Sequence, residues 1–192
     1  VSAPLFAADR FRCVELVAAD IPRLQAFFEE NPEYDELVEG QPPGPNAGKL
    51  ALEGLPPADM RYTRKWMLGF EDAGGTLVAI ADVTEGMLAD GVWHIGLFIV
   101  ATRLHGSGAA RAMYDGLQAW MQGAGAQWLR LGVVAGNVRA ERFWERLGYV
   151  ETRRRLALPM GLRVNDIRVM MKPLAGGRVA DYLAMVARDR PE

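Results

Sequence analysis

Cysteine, histidine and serine are nearly missing from this 192-residue chain. The single cysteine, Cys13, excludes an internal disulfide and a cysteine-rich metal site, so no metal is expected. His94 and His105 are the only histidines, and Ser2 and Ser107 the only serines. That inventory removes most metal chemistries and most Ser–His pairings. An excess of one charge is missing too: 22 Lys and Arg stand against 24 Asp and Glu, a formal net charge of −2. A dedicated nucleic-acid binder shows a basic excess, so no nucleic-acid partner is expected. No apolar run approaches the roughly 18 residues of a membrane span, so no membrane partner is expected. Val1 to Arg10 lacks the charged start and long apolar core of a secretion signal, and the expected location is cytoplasmic. The longest basic run, Arg153-Arg154-Arg155, reads as the exposed edge of a strand.

What remains is a chain that is 50% hydrophobic and 24% charged, the balance of a packed globule. Its length suits one domain with a short appendage: residues 1–175, then a C-terminal helical piece at 176–192. Phe11 to Ala19 reads as a first strand. Asp20 and Pro22 then open a helix with Leu24, Phe27 and Phe28 on its apolar face. Asn31-Pro32 stops it. Gln41 to Gly48 reads as a loop, and Pro56-Pro57 as the start of a short helix towards Tyr62. Lys65–Phe70 and Thr76–Val83, separated by Asp72-Ala73-Gly74-Gly75, form a hairpin pattern.

Val92–Val100 is apolar on both faces, as a central strand is. After a turn at Gly106 to Gly108, Ala110, Met113, Tyr114, Leu117 and Met121 share one face of a helix. Trp128–Val134 is another buried strand. Asn137 caps a helix that Gly148 closes. Tyr149–Leu158 and Ile167–Lys172 form a last strand pair, and Val179, Leu183 and Val186 mark a last amphipathic helix. This order predicts α+β, a mixed sheet around one crossover unit.

The turn from Val100 to Arg111 carries the first chemical signal. A buried strand runs into a glycine-rich turn that opens a helix, where free backbone N–H groups and the helix dipole attract an anion. Three familiar motifs fail here. A phosphate-binding Walker loop needs Lys after Gly108, where Ala109 stands. A dinucleotide fingerprint needs a third glycine where Arg111 stands, and an acid near Trp128-Leu129-Arg130-Leu131. A hydrolase elbow around Ser107 lacks flanking glycines and a later histidine. The second signal is the segment Asn137-Val138-Arg139-Ala140-Glu141-Arg142-Phe143-Trp144-Glu145-Arg146-Leu147-Gly148-Tyr149.

Together the two segments resemble the GCN5-related N-acetyltransferase (GNAT) superfamily. Its acetyl-CoA loop reads Gln/Arg-x-x-Gly-x-Gly/Ala, and His105-Gly106-Ser107-Gly108-Ala109-Ala110 fits with His105 in the first place. A register that begins at Arg103 keeps the arginine and misaligns the helix. The superfamily's later segment reads Asn-x-x-Ala-x-x-Phe-Tyr-x-x-x-Gly-Phe. Asn137, Ala140, Phe143, Gly148 and Tyr149 match it, and Trp144 replaces the Tyr.

The resemblance implies a three-layer fold with helices on both faces of a mostly antiparallel sheet, splayed at its two parallel strands. It implies acetyl-CoA as cosubstrate, bonded near Phe98, Ile99 and Val100, with its pyrophosphate on Gly106, Ser107, Gly108, Ala109, Ala110 and Arg111. Asn137 would reach the pantetheine, Phe143 and Trp144 would wall the thioester, and His105 would give a weaker, pH-dependent phosphate contact. The implied function is N-acetyltransfer to the primary amine of a small-molecule or peptide acceptor. Asp82 and His94 are the candidate general bases. The alternatives are a non-catalytic acetyl-CoA sensor or scaffold, favoured by the missing Tyr, and a nucleotide-binding α/β domain. The last helix packs on its own domain or on a second copy, which leaves a homodimer open.

Overall fold

The computed structural model describes residues 3–174 and 176–191. Eight strands form one sheet: Phe6–Ala8 (β1), Phe11–Glu15 (β2), Arg64–Glu71 (β3), Leu77–Glu85 (β4), Val92–Val100 (β5), Trp128–Val134 (β6), Val150–Met160 (β7) and Arg163–Pro173 (β8). Their order across the sheet is β1-β2-β3-β4-β5-β6-β8-β7. Among the described residues only β5 and β6 pair in parallel, and a helical crossover joins them.

That crossover is Ala109–Gly123 (α4). Its Met113, Tyr114, Leu117 and Met121 are fully buried against Trp93 and Ile95 of β5 and Leu129 and Leu131 of β6. Val138–Arg146 (α5) packs on the same face through Trp144. The opposite face is covered by Ile21–Glu30 (α1), whose Leu24, Phe27 and Phe28 meet Val14, Leu16, Met67 and Ile80. Each such buried side chain contributes about 1.5–3 kcal/mol relative to exposure. The expected three-layer α+β arrangement is therefore the observed one.

Two irregularities interrupt the sheet on either side of β5. The β5–β6 ladder runs only from Val92↔Trp128 to Ile95↔Leu131, although both strands continue beyond it. Between β4 and β5, Asp82 pairs with Leu97 and Val83 with Ile95, so Gly96 is an extra residue. A bulge of this kind flips the side-chain alternation. Trp93 and Ile95 face α4 before it, and Phe98 and Val100 face α4 after it.

The segment after α1 departs from the sequence reading. Pro32 does not only stop α1; it also starts a further helix, Glu33–Val38 (α2), as proline is able to in a first turn. Ala47–Glu53 (α3) begins at the end of the proline- and glycine-rich stretch, and Pro56-Pro57 opens no helix. At the other end, Val179–Met185 (α6) brings Tyr182 and Val186 into a core with Val92, Trp128 and Met171. Among the described residues no helix is long and apolar enough to cross a membrane.

Candidate active site

Where β5 and β6 part, a cleft of about 1160 Å³ opens. Its walls include Gly96 to Val100 from β5, Leu131 to Val134 from β6, the turn at His105 to Gly108, and one side of α5. The Ala101 N–H is bonded to Val78 O on the β4 side. Backbone groups alternate along a strand, so those of Val100 and Phe98 point away from β4, into the cleft. Their edge is free of β6 there, and an extended chain fits along it.

The turn ends in two left-handed glycines, Gly106 (φ 76°) and Gly108 (φ 86°), a conformation that other residues adopt at a cost. A side chain at either would meet nothing within 4 Å, so both present bare backbone to open space. Gly108 is the N-cap of α4. Among the described residues no protein acceptor takes the N–H groups of Gly108, Ala110 or Arg111, whereas that of Ala109 bonds to Ser107 Oγ at 3.3 Å. Three donors and a helix dipole converge at the open end of the split, the arrangement that suits a phosphate.

The expected contact residues Phe98, Ile99, Val100, His105, Gly106, Gly108, Ala110, Arg111, Asn137, Phe143 and Trp144 all line the cleft; Ser107 and Ala109 do not. Ser107 instead braces the turn, donating to Leu104 O at 2.7 Å. His105 is fixed on both sides, with Nε2 donating to Val100 O at 2.9 Å and Nδ1 accepting from Arg139 Nη1 at 2.7 Å. Arg139, Arg142 and Arg146 lie along one side of α5 and line the cleft as well. The sequence reading does not single out these three, although their spacing of three and four residues on a helix is legible.

Asn137 Oδ1 accepts from the Ala140 N–H at 3.2 Å, capping α5, which leaves its Nδ2 donor for the cleft. Phe98 and Phe143 stack with centroids 6.2 Å apart and planes 13° apart. Trp144 lies among Phe143, Tyr149, Tyr114 and Phe98, at centroid distances of 4.9, 5.3, 5.7 and 6.0 Å. Tyr149 is buried, its hydroxyl 3.1 Å from that of Tyr114, and burial holds its phenol well above its ordinary range.

The two candidate bases occupy different surroundings. Asp82 is not among the residues lining the cleft, and its carboxylate lies 3.3 Å from Lys65 Nζ. Burial pushes the Asp82 carboxyl up, and the Lys65 ammonium opposes that shift. His94 does line the cleft, across the ladder from Arg130. Its Nδ1 accepts from Arg130 Nη1 at 3.2 Å, which places its proton on Nε2. Burial, and then the charge of Arg130, pushes the imidazole down to about 3. Arg130 is itself clamped by fully buried Asp189 at 2.6 and 3.0 Å, and Tyr182 donates to the same carboxylate at 2.5 Å.

A family model described as the acetyltransferase (GNAT) family matches residues 24–149, well over half of the chain. The chain belongs to this family. No curated protein sequence matches the acetyltransferase. Solved structures with the same fold include the ribosomal-protein-S18-alanine N-acetyltransferase from Escherichia coli, 18% identical with a TM-score of 0.65, covering 88% of this chain and 97% of that one. The spermidine N-acetyltransferase from Vibrio cholerae, in complex with CoA and spermine, is 17% identical with a TM-score of 0.67 over 86% of this acetyltransferase and 96% of its own chain. A GCN5-related N-acetyltransferase from Kribbella flavida is 19% identical, with a TM-score of 0.63 over 88% and 100% of the two chains. Membership makes the chain an N-acetyltransferase, and acetyl-CoA is the donor that the family implies. The split strands, bare glycines and unpaired N–H groups fit that donor.

Proposed function

We propose that this acetyltransferase moves the acetyl group of acetyl-CoA to a primary amine by direct attack of the amine on the thioester. The observation that carries this reading is the split of β5 and β6 beyond Ile95 and Leu131, with the N–H groups at the start of α4 at its open end. A pantetheine arm would pair with the free edge of β5, and its pyrophosphate would sit on Gly108, Ala110 and Arg111. A backbone N–H of Phe98 or Val100 would polarise the thioester carbonyl as charge builds on its oxygen.

The attacking nitrogen must first lose a proton. Arg130 and Arg155 both line the cleft beside His94, and cationic surroundings lower the proton affinity of an arriving ammonium. His94 offers its Nε2–H as a hydrogen-bond donor rather than a lone pair, so the proton leaves to water. The thiolate needs no acid, since a thiol of pKa about 8.5 leaves readily near neutrality. Tyr149 is in any case outside the cleft lining.

Trp144 in the place of the usual Tyr favours a second reading, a module that binds acetyl-CoA without turning it over. Thiol release from acetyl-CoA, followed with a panel of primary amines, separates the two. Amine-dependent release supports transfer. Binding without release by any amine supports the sensor.

A further inference from the structure

The end of the cleft away from the glycine turn is where an acceptor would enter, and its charges are one-sided. Its floor is the sheet face opposite α4. His94 and Arg130 lie on that face, as does Ile167 of β8. Arg155 of β7 is the cross-strand partner of Ile167, and such partners share a face. Between Arg155 and Leu158 the β7–β8 ladder bulges, and Ala157 takes a positive φ of 55°. Arg155 lines the cleft from that face.

The charge of Arg130 is met by Asp189 at hydrogen-bond distance. Arg155 differs: it lines the cleft and has no ion-pair or hydrogen-bond partner among the described residues. The one carboxylate among the described residues lining the cleft, Glu33, accepts from Thr102 Oγ1 at 2.7 Å, at the glycine-turn end. Asp35 is buried and lies outside the lining. The acceptor end thus holds a guanidinium without a bonded counter-ion, since Asp189 is already taken by Arg130 and Asp59 by Arg188, and no lining acid to receive a polycation.

Resting on the acetyl-transfer reading, we propose that the acceptor is a small amino carboxylate, whose carboxylate pairs with the Arg155 guanidinium while its amine faces the thioester. A planar guanidinium matches a carboxylate with two parallel hydrogen bonds. Arg155 and His94 line the same cleft and lie within electrostatic reach of each other, so a carboxylate on Arg155 is a short molecule's length from the split.

The test uses alanine, methionine and phenylalanine, each beside the amine left when its carboxylate is removed, with spermidine and a tripeptide amide lacking any carboxylate. Thiol release is measured for the parent, Arg155→Gln and Arg155→Lys. Amino acids should exceed their decarboxylated partners at least tenfold in kcat/KM. Arg155→Gln should raise KM for the amino acid at least tenfold, and Arg155→Lys should recover part of the loss. Acetyl-CoA binding by each variant checks that it is folded. Equal or better use of the decarboxylated amines, spermidine or the peptide amide would overturn the proposal, as would an unchanged KM in Arg155→Gln. Should no amine release thiol, the transfer reading itself fails, and calorimetric titration of the amino acids into CoA-saturated protein still reads the subsite. Binding that Arg155→Gln abolishes supports it, and no binding by the parent overturns it.

Discussion

Arg130 donates a hydrogen bond from Nη1 to Nδ1 of His94 over 3.2 Å. A guanidinium has only donors, so the contact requires an unprotonated Nδ1. The imidazole is held down to about 3 by burial and then by Arg130, whereas in the unfolded chain it titrates near 6.5. Below about 6.5 the unfolded chain therefore binds a proton that the folded one does not. Stability contributed by the neutral ring is full above that pH and falls as the pH drops towards 3, by up to about 1.4 kcal/mol per pH unit. His94→Gln keeps an acceptor for Arg130 without the titration. Urea unfolding at pH 7.5, 6 and 5 should show the parent losing ground to the variant as the pH falls. A constant difference would contradict it.

The pair at the glycine turn makes a second prediction. Arg139 Nη1 donates to His105 Nδ1 over 2.7 Å, which sets the Arg139 guanidinium beside the turn. Arg139→Gln should weaken acetyl-CoA binding about tenfold, the value of roughly one charge-assisted contact. Undiminished binding by a folded Arg139→Gln would remove Arg139 from the donor site.

Trp144 is walled in by four aromatic rings, and its indole does not ionise near neutral pH. Trp144→Phe should raise KM for acetyl-CoA a few-fold and leave kcat within about threefold, the pattern of lost uniform binding. A hundredfold fall in kcat at constant KM would place Trp144 in the transition state.

The parts of this fold that are legible in sequence are those in which one local signal decides. Val92–Val100 and Trp128–Val134 are continuous apolar runs, and both strands have those bounds. Asn137 and Gly148 punctuate α5 as caps do. Gly106 and Gly108 mark the turn, and both have the positive φ that a close backbone approach uses. The parts that sequence does not reveal depend on partners distant along the chain. Pro32 looks the same whether it ends one helix or begins the next, and α2 escapes notice for that reason. The bulge at Gly96 exists only against β4. Arg155 reads as one of three exposed arginines on a strand edge, and only its pairing with Ile167 of β8 puts it on the cleft face. Asp82 and His94 lie on neighbouring central strands, but the cleft lining takes in only His94.

Calorimetric titration of acetyl-CoA into the parent, Gly108→Asp and Gly123→Asp tests the donor site most directly. Gly108→Asp places a carboxylate and a Cβ where the pyrophosphate would lie. Charge repulsion and lost approach, each about one to two kcal/mol, should together cost on the order of a hundredfold in affinity. Gly123 ends the same helix away from the cleft, with nothing within 4 Å of an added Cβ, so Gly123→Asp should bind as the parent does. Undiminished binding by a folded Gly108→Asp, or equal losses in both variants, would contradict the assignment of the β5–β6 split and its glycine turn as the acetyl-CoA site.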